Sequence, residues 1–175
     1  MPLDNVSLAA RAEAGRAPGH PELARVDLDM LGRGGDPARP EFIRLEHNRA
    51  TRGARKVDYD VVGIDATMSY LIAGVRGGSA HFDCSVYGPD TKGHDRIIAN
   101  VSDDDVALGS RGEFALYLAT MPPPPQLRSA QWIRLTNDAS AVIIRQCFDD
   151  RSAETPARFD VVCMAPRRFL GPATG

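Results

Sequence analysis

The sequence predicts an all-β protein, an antiparallel, jelly-roll-like β-sandwich with a short helical N-terminal extension. Three observations predict it. From residue 41 onward apolar residues recur with period two, the period of a strand. The apolar runs are short and follow one another at roughly ten-residue spacing, as in sandwiches and barrels. Turn formers separate them, among 16 glycines and 13 prolines in 175 residues.

Residues 1–40 read differently. Asn5 to Arg16 is rich in Ala, Arg, Leu and Glu and predicts a short helix. A second helix starts near Pro21, where the missing N–H costs nothing. Leu23, Val26, Met30 and Leu31 fall near one face of it. The stretch from Gly32 to Pro40 ends any helix. The organisation read from the chain is a helical lead-in and loop over 1–40, a β-sandwich domain over 41–165 and a loose tail over 166–175.

The strands follow in order. Asp58 to Ile64 is one, and Thr67 to Gly74 is its partner across a tight Asp65-Ala66 turn. Ser79 to Tyr87 alternates well: Ala80, Phe82, Cys84 and Val86 point one way, and Ser79, His81, Asp83 and Ser85 the other. Asp95 to Val101 follows a polar loop. Asp103-Asp-Asp105 reads as a solvated turn before an apolar segment, Val106 to Leu108. Glu113 to Ala119 carries Phe114, Leu116 and Leu118 on one face. Pro122 to Pro125 cannot join a ladder and forms a stiff connection. Gln131 to Thr136 and Ala141 to Phe148 read as a hairpin around Asn137-Asp138. Arg158 to Met164 closes the set.

A net charge of −2 argues against nucleic-acid binding. No run approaches the ~18 apolar residues of a membrane span, and the N-terminus lacks a secretory apolar region. These features describe a soluble, cytoplasmic protein. Cys84, Cys147 and Cys163 lie in apolar runs without CxxC spacing, which suits reduced, buried thiols.

An ordered set of elements resembles the bacterial family named domain of unknown function 1214. It comprises Asp36-Pro-Ala-Arg-Pro-Glu-Phe42, Ile64-Asp65 with Ser69-Tyr70, Gly74-Val-Arg-Gly77, Gly112-Glu-Phe114, Trp132 with Leu135, Ile144-Arg-Gln146, Asp149-Asp-Arg151 and Glu154-Thr-Pro156. The resemblance covers roughly residues 36–165. It implies the jelly-roll sandwich, here as a stand-alone version of a C-terminal module that family members often join to a larger N-terminal region. Lys56-Val-Asp58-Tyr59 stands where the family usually has Asn-Pro-Asp. The resemblance implies no activity.

The candidate ligand-binding residues are Arg145, His81, Asp83, Trp132 and Tyr70. Arg145 interrupts an apolar strand, so its charge must be paired or solvated. It reads as a structural partner of Asp149, Asp150 or Glu154, or else as an anion clamp in the sandwich mouth. His81 and Asp83 share a strand face and could begin a metal site. His20, His47 and His94 lack ligand spacing to complete it, so neither metal nor cofactor is expected. Cys84 points away from His81 and Asp83. Trp132 and Tyr70 read as core or rim aromatics able to stack on a ring. No nucleophile elbow or phosphate loop is present. The leading reading is a non-catalytic binding or accessory module for a small molecule. The alternatives are a cofactor-independent or metal-assisted enzyme on a small organic substrate and a structural, homo-oligomer-forming protein.

Overall fold

A computed structural model describes residues 35–45 and 56–164. The helices expected before residue 35 and the tail from Pro166 lie outside the described residues. Among the described residues nine strands run in chain order: β1 Ile43–Leu45, β2 Lys56–Gly63, β3 Ser69–Val75, β4 His81–Pro89, β5 Asp95–Ser102, β6 Glu113–Ala119, β7 Gln131–Arg134, β8 Ala141–Phe148 and β9 Arg158–Met164. They form a five-stranded sheet of order β1-β2-β8-β4-β5 and a four-stranded sheet of order β7-β6-β3-β9. The predicted all-β sandwich is therefore present.

Alternation decides which side chains fill the space between the sheets. Tyr70 and Ile72 of β3, Phe82, Cys84 and Val86 of β4, Leu116 and Leu118 of β6, and Val142 and Ile144 of β8 are all fully buried there. Burying each large aliphatic side chain stabilises the fold by about 1.5–3 kcal/mol.

Pairing differs from the sequence reading in two places. β2 and β3 are not hairpin partners; the Asp65 turn carries the chain from one sheet to the other. The Asp65 carboxylate accepts from the Thr67 N–H and hydroxyl, and the Asp65 N–H donates to the Tyr70 hydroxyl at 2.8 Å. β7 and β8 are likewise split between sheets, with the Ser140 N–H tied to the Tyr87 carbonyl. The reason is burial: Ala141 to Ile144 are buried on both faces, so β8 takes a central position between β2 and β4. A turn signal marks where the chain reverses, not which strand receives it. Val106 to Leu108, the apolar segment after the aspartate turn, forms no strand. The Gln131 side chain takes up the backbone there, accepting from the Ala107 N–H and donating to the Asp105 carbonyl.

The ladder is antiparallel except for β6 and β7, which pair in parallel. A parallel pair needs a long connection. The proline run supplies it, ending in a 3-10 turn at Pro125–Leu127. β4 and β5 do form a hairpin, with a bulge between Val86 and Tyr87. Two glycines fit β3 against β9 and its following turn against the β8–β9 loop. A Cβ at Gly74 would collide with the Arg158 carbonyl and the backbone of Phe159. Gly77 has φ +68° and a Cβ there would lie 2.5 Å from the Thr155 carbonyl oxygen.

Candidate functional site

Two places concentrate polar groups against apolar ones. The first is the outer face of the five-stranded sheet. Since Phe82, Cys84 and Val86 point into the core, His81, Asp83, Ser85 and Tyr87 point out. Arg145 stands directly opposite Asp83 on one side and Tyr59 on the other. Its Nε donates to Asp83 Oδ2 at 2.6 Å and its Nη2 reaches the same oxygen at 2.5 Å. The Ser85 hydroxyl donates to Asp83 Oδ1, and the Asn100 amide donates to Ser85 at 2.7 Å. Asp83 is only 4% exposed. Burial, with Asp83 adding to it, pushes the Tyr87 phenol above its usual range.

His81 links this pair to a second one. Its Nε2 lies 3.2 Å from Asp83 Oδ2 and 3.4 Å from Arg145 Nη2, and its Nδ1 lies 3.2 Å from Asp103 Oδ2. Asp103 also accepts from Arg76 Nε at 2.5 Å and from the Phe82 N–H at 2.8 Å. Asp103 is thus part of the network, not of a merely solvated turn.

The structure brings Arg145, His81 and Asp83 together and leaves Tyr70 and Trp132 elsewhere. Arg145 is neither in a sandwich mouth nor paired with Glu154. Its partner is Asp83, which register on the next strand makes adjacent. Glu154 serves other donors: its carboxylate accepts from the Asp149, Asp150 and Ala80 N–H groups. Tyr70 is fully buried in the core, and burial raises its phenol. Trp132 lies on the outer face of the other sheet, its indole N–H donating to the Ala119 carbonyl at 3.1 Å. His94 sits at the β4–β5 tip with Asp90, at the far end of β4 from His81. His81 engages its two carboxylates through opposite ring nitrogens, so they do not converge on one point. Among the described residues no three His, Cys, Asp or Glu side chains are placed to hold a metal ion.

The second place is a cleft of about 390 Å³ at the edge of the sandwich, lined by Phe42, Arg44, Asp60 and the segment from Pro156 to Asp160 that leads into β9. Phe42 and Phe159 meet edge to face at 5.1 Å, and Phe159 continues to Phe82 in the core. Arg44 binds Asp60 with both Nε and Nη2 at 2.9 Å. That bond, the largest cause, raises the Arg44 guanidinium further above its normal range. Asp58 lies beside them, 3.9 Å from Arg44 and 3.2 Å from Arg151. Behind Ala157, the buried Gln146 accepts its N–H at 2.7 Å, while the Gln146 Nε2 finds no partner among the described residues.

Sequence reasoning missed this cleft. One signal was available: Asp58 and Asp60 share the face of β2 that carries Val62 into the core. An acid on a buried strand face requires a partner. What could not be read was that Arg44 of β1 supplies it.

The fold and the cleft define a class: a two-sheet β-sandwich with a mixed polar and aromatic cleft at one edge. Among solved structures, an uncharacterised protein from Burkholderia cenocepacia is similar to this chain, with a TM-score of 0.64 and 25% identity, covering 86% of this chain and 41% of that one. The chain therefore spans less than half the length of that relative. A protein from Vibrio parahaemolyticus shows a weaker likeness, with a TM-score of 0.42 and 12% identity over 77% of this chain and 33% of its own. No family model matches the chain, and no curated protein does. No helix among the described residues is long and apolar enough to cross a membrane.

Proposed function

We propose that this chain is a non-catalytic, small-molecule-binding module of the domain of unknown function 1214 type, and that its ligand sits in the edge cleft. One observation carries the reading. Asp60 is 6% exposed whereas its partner Arg44 is 45% exposed at the side chain, so the ion pair shows the cleft its guanidinium. A planar cation beside two phenylalanines suits a small molecule with a planar apolar body and an anionic end. The described residues lining the cleft include no serine, cysteine or histidine, which favours binding over nucleophilic chemistry. Several elements that carry the family resemblance meet here: Phe42 and Pro156 line the cleft, Gln146 backs it, Arg151 holds Asp58, and Gly77 packs against Thr155 and Pro156.

Benzoate and benzamidine, of equal size and opposite charge, test the reading by ligand-observed NMR. Benzoate binds with a Kd of about millimolar, as befits a fragment of its size, and benzamidine binds more weakly. The Arg44→Ala/Asp60→Asn variant removes the cation without stranding a buried charge, and it loses benzoate binding. Equal binding of both probes, or benzoate binding that survives in the variant, sinks the proposal.

A further inference from the structure

We propose that the outer face of the four-stranded sheet is a dimer interface, on which a second copy of this chain packs about a two-fold axis running along β3. Pairing on this face does not depend on what the edge cleft binds. An antiparallel sheet with one solvated face alternates apolar and polar residues, and β3 and β6 do not. β3 carries no charged residue, and β6 carries only Glu113, at its start. Tyr70, Ile72, Leu116 and Leu118 fill the core, so the residues between them lie on the outer face. Strand register sets Val162, Leu71, Tyr117 and Trp132 in one apolar row across all four strands. In the next row Ala73 and Ala115 are small and leave the face flat. Val162 is 50% exposed and Val75 44%. Among the described residues no third sheet lies on this face.

The charges on the face say which partner fits it. Arg158 on β9, Val75 on β3 and Glu113 on β6 are in register, and all three are exposed. That row has a cation at one end, an apolar residue in the middle and an anion at the other end. Neither Arg158 nor Glu113 enters an ion pair among the described residues. The Arg111 N–H donates to Glu113 Oε2 at 2.9 Å, which steadies the carboxylate. A two-fold axis along β3 lays β9 of one copy over β6 of the other. Arg158 then faces the partner's Glu113, and Glu113 faces the partner's Arg158. Val75, Ala73 and Leu71 each face their own counterparts, and Val162 comes over the partner's Tyr117. The two sheets stack with their strands nearly aligned, a common arrangement for sheets face to face. An axis across the strands instead lays Arg158 over Val162 or Met164 and matches no charges. Asp160 stays at the rim on the edge strand, where water reaches it. The apolar rows supply affinity, and the two charge pairs fix orientation.

Sedimentation velocity on the full chain tests this. The face is small, so the parent dimerises with a Kd of about micromolar. Arg158→Glu and Glu113→Arg each set like charges together twice, which weakens the dimer about tenfold or more, and each variant sediments as a monomer at concentrations where the parent is dimeric. Mixed in equal amounts, the two variants form a heterodimer, because each reversed residue meets its complement on the other chain. Pairing of Arg158 with Glu113 inside one chain predicts no such recovery. Val75→Lys places two lysines at the axis and is also monomeric. Because Val75 is exposed, that variant keeps the parent's melting temperature as a monomer. A parent that stays monomeric up to about millimolar, with the face bare, covered by another stretch of the chain or kept for a different partner, overturns the proposal. So does a dimer that survives Val75→Lys, or a mixture of the two charge reversals that stays monomeric.

Discussion

Arg145 and Asp83 hold each other across neighbouring strands, at 15% and 6% side-chain exposure. Neither has much water to fall back on, so removing one partner strands the other. Arg145→Ala is expected to destabilise the protein by ~3–5 kcal/mol, read as a shift in the urea midpoint at unchanged slope. The double variant Arg145→Met/Asp83→Leu replaces both charges with apolar groups of similar reach and recovers most of that loss. A single variant as stable as the parent would show that the pair contributes nothing. That Arg145 must be paired or reach solvent was legible in the sequence, because it follows the apolar run from Ala141 to Ile144. The partner was not legible, since Asp83 lies 62 positions away and register alone makes them neighbours.

At the scale of elements, the β8–β9 loop organises the end of the sandwich next to the cleft. Glu154 gathers three N–H groups, two from its own loop and one from Ala80 at the entry to β4. Glu154→Ala hands those exposed donors to water and is expected to cost only ~0.5–1.5 kcal/mol. Amide exchange should quicken at residues 80, 149 and 150 before it does in β8. Exchange that rises uniformly, or not at all, would mean the loop is held by something else. Gly77→Ala strains the same junction from the other side, because φ +68° disfavours a side chain and Thr155 leaves no room. The strands of this region were legible from period two, and their ends from turn residues. The assignment of β2 and β3, or β7 and β8, to different sheets was not. Asp65-Ala66 and Asn137-Asp138 reverse the chain equally well within a sheet or between two sheets, and only the two-sided burial of β8 decides.

For the whole molecule, titrating groups set limits at both ends of the pH scale. Asp65, Asp90, Asp138 and Asp150 are held below the usual carboxylate range, chiefly by hydrogen bonds from Thr67, from His94 and Lys92, from Thr136 and from Ser152. A lowered folded value contributes stability above the unfolded pKa of ~3.9 and loses it as pH falls through the folded value. Tyr70, Tyr87 and Cys84 are raised, mainly by burial. Their contribution is complete below their unfolded values of ~8.5–10 and is lost as pH rises past them. Thermal melts should therefore show a plateau near neutrality, a fall below pH ~4 and a fall above pH ~9. Stability still rising between pH 9 and 11 would contradict this assignment of buried phenols and thiol.

The all-β sandwich was legible in the whole sequence, because its core residues alternate strand by strand. The cleft was not, because it joins Phe42 and Arg44 at one edge to Phe159 at another, through packing that no local pattern encodes. The central claim, that this cleft is the binding site, is tested most directly by following the backbone amides during a benzoate titration. The account predicts shifts confined to residues 42–44, 58–60 and 156–160, with the His81, Asp83 and Arg145 amides unmoved. Shifts centred on His81 and Arg145, or none anywhere at saturating benzoate, would contradict it.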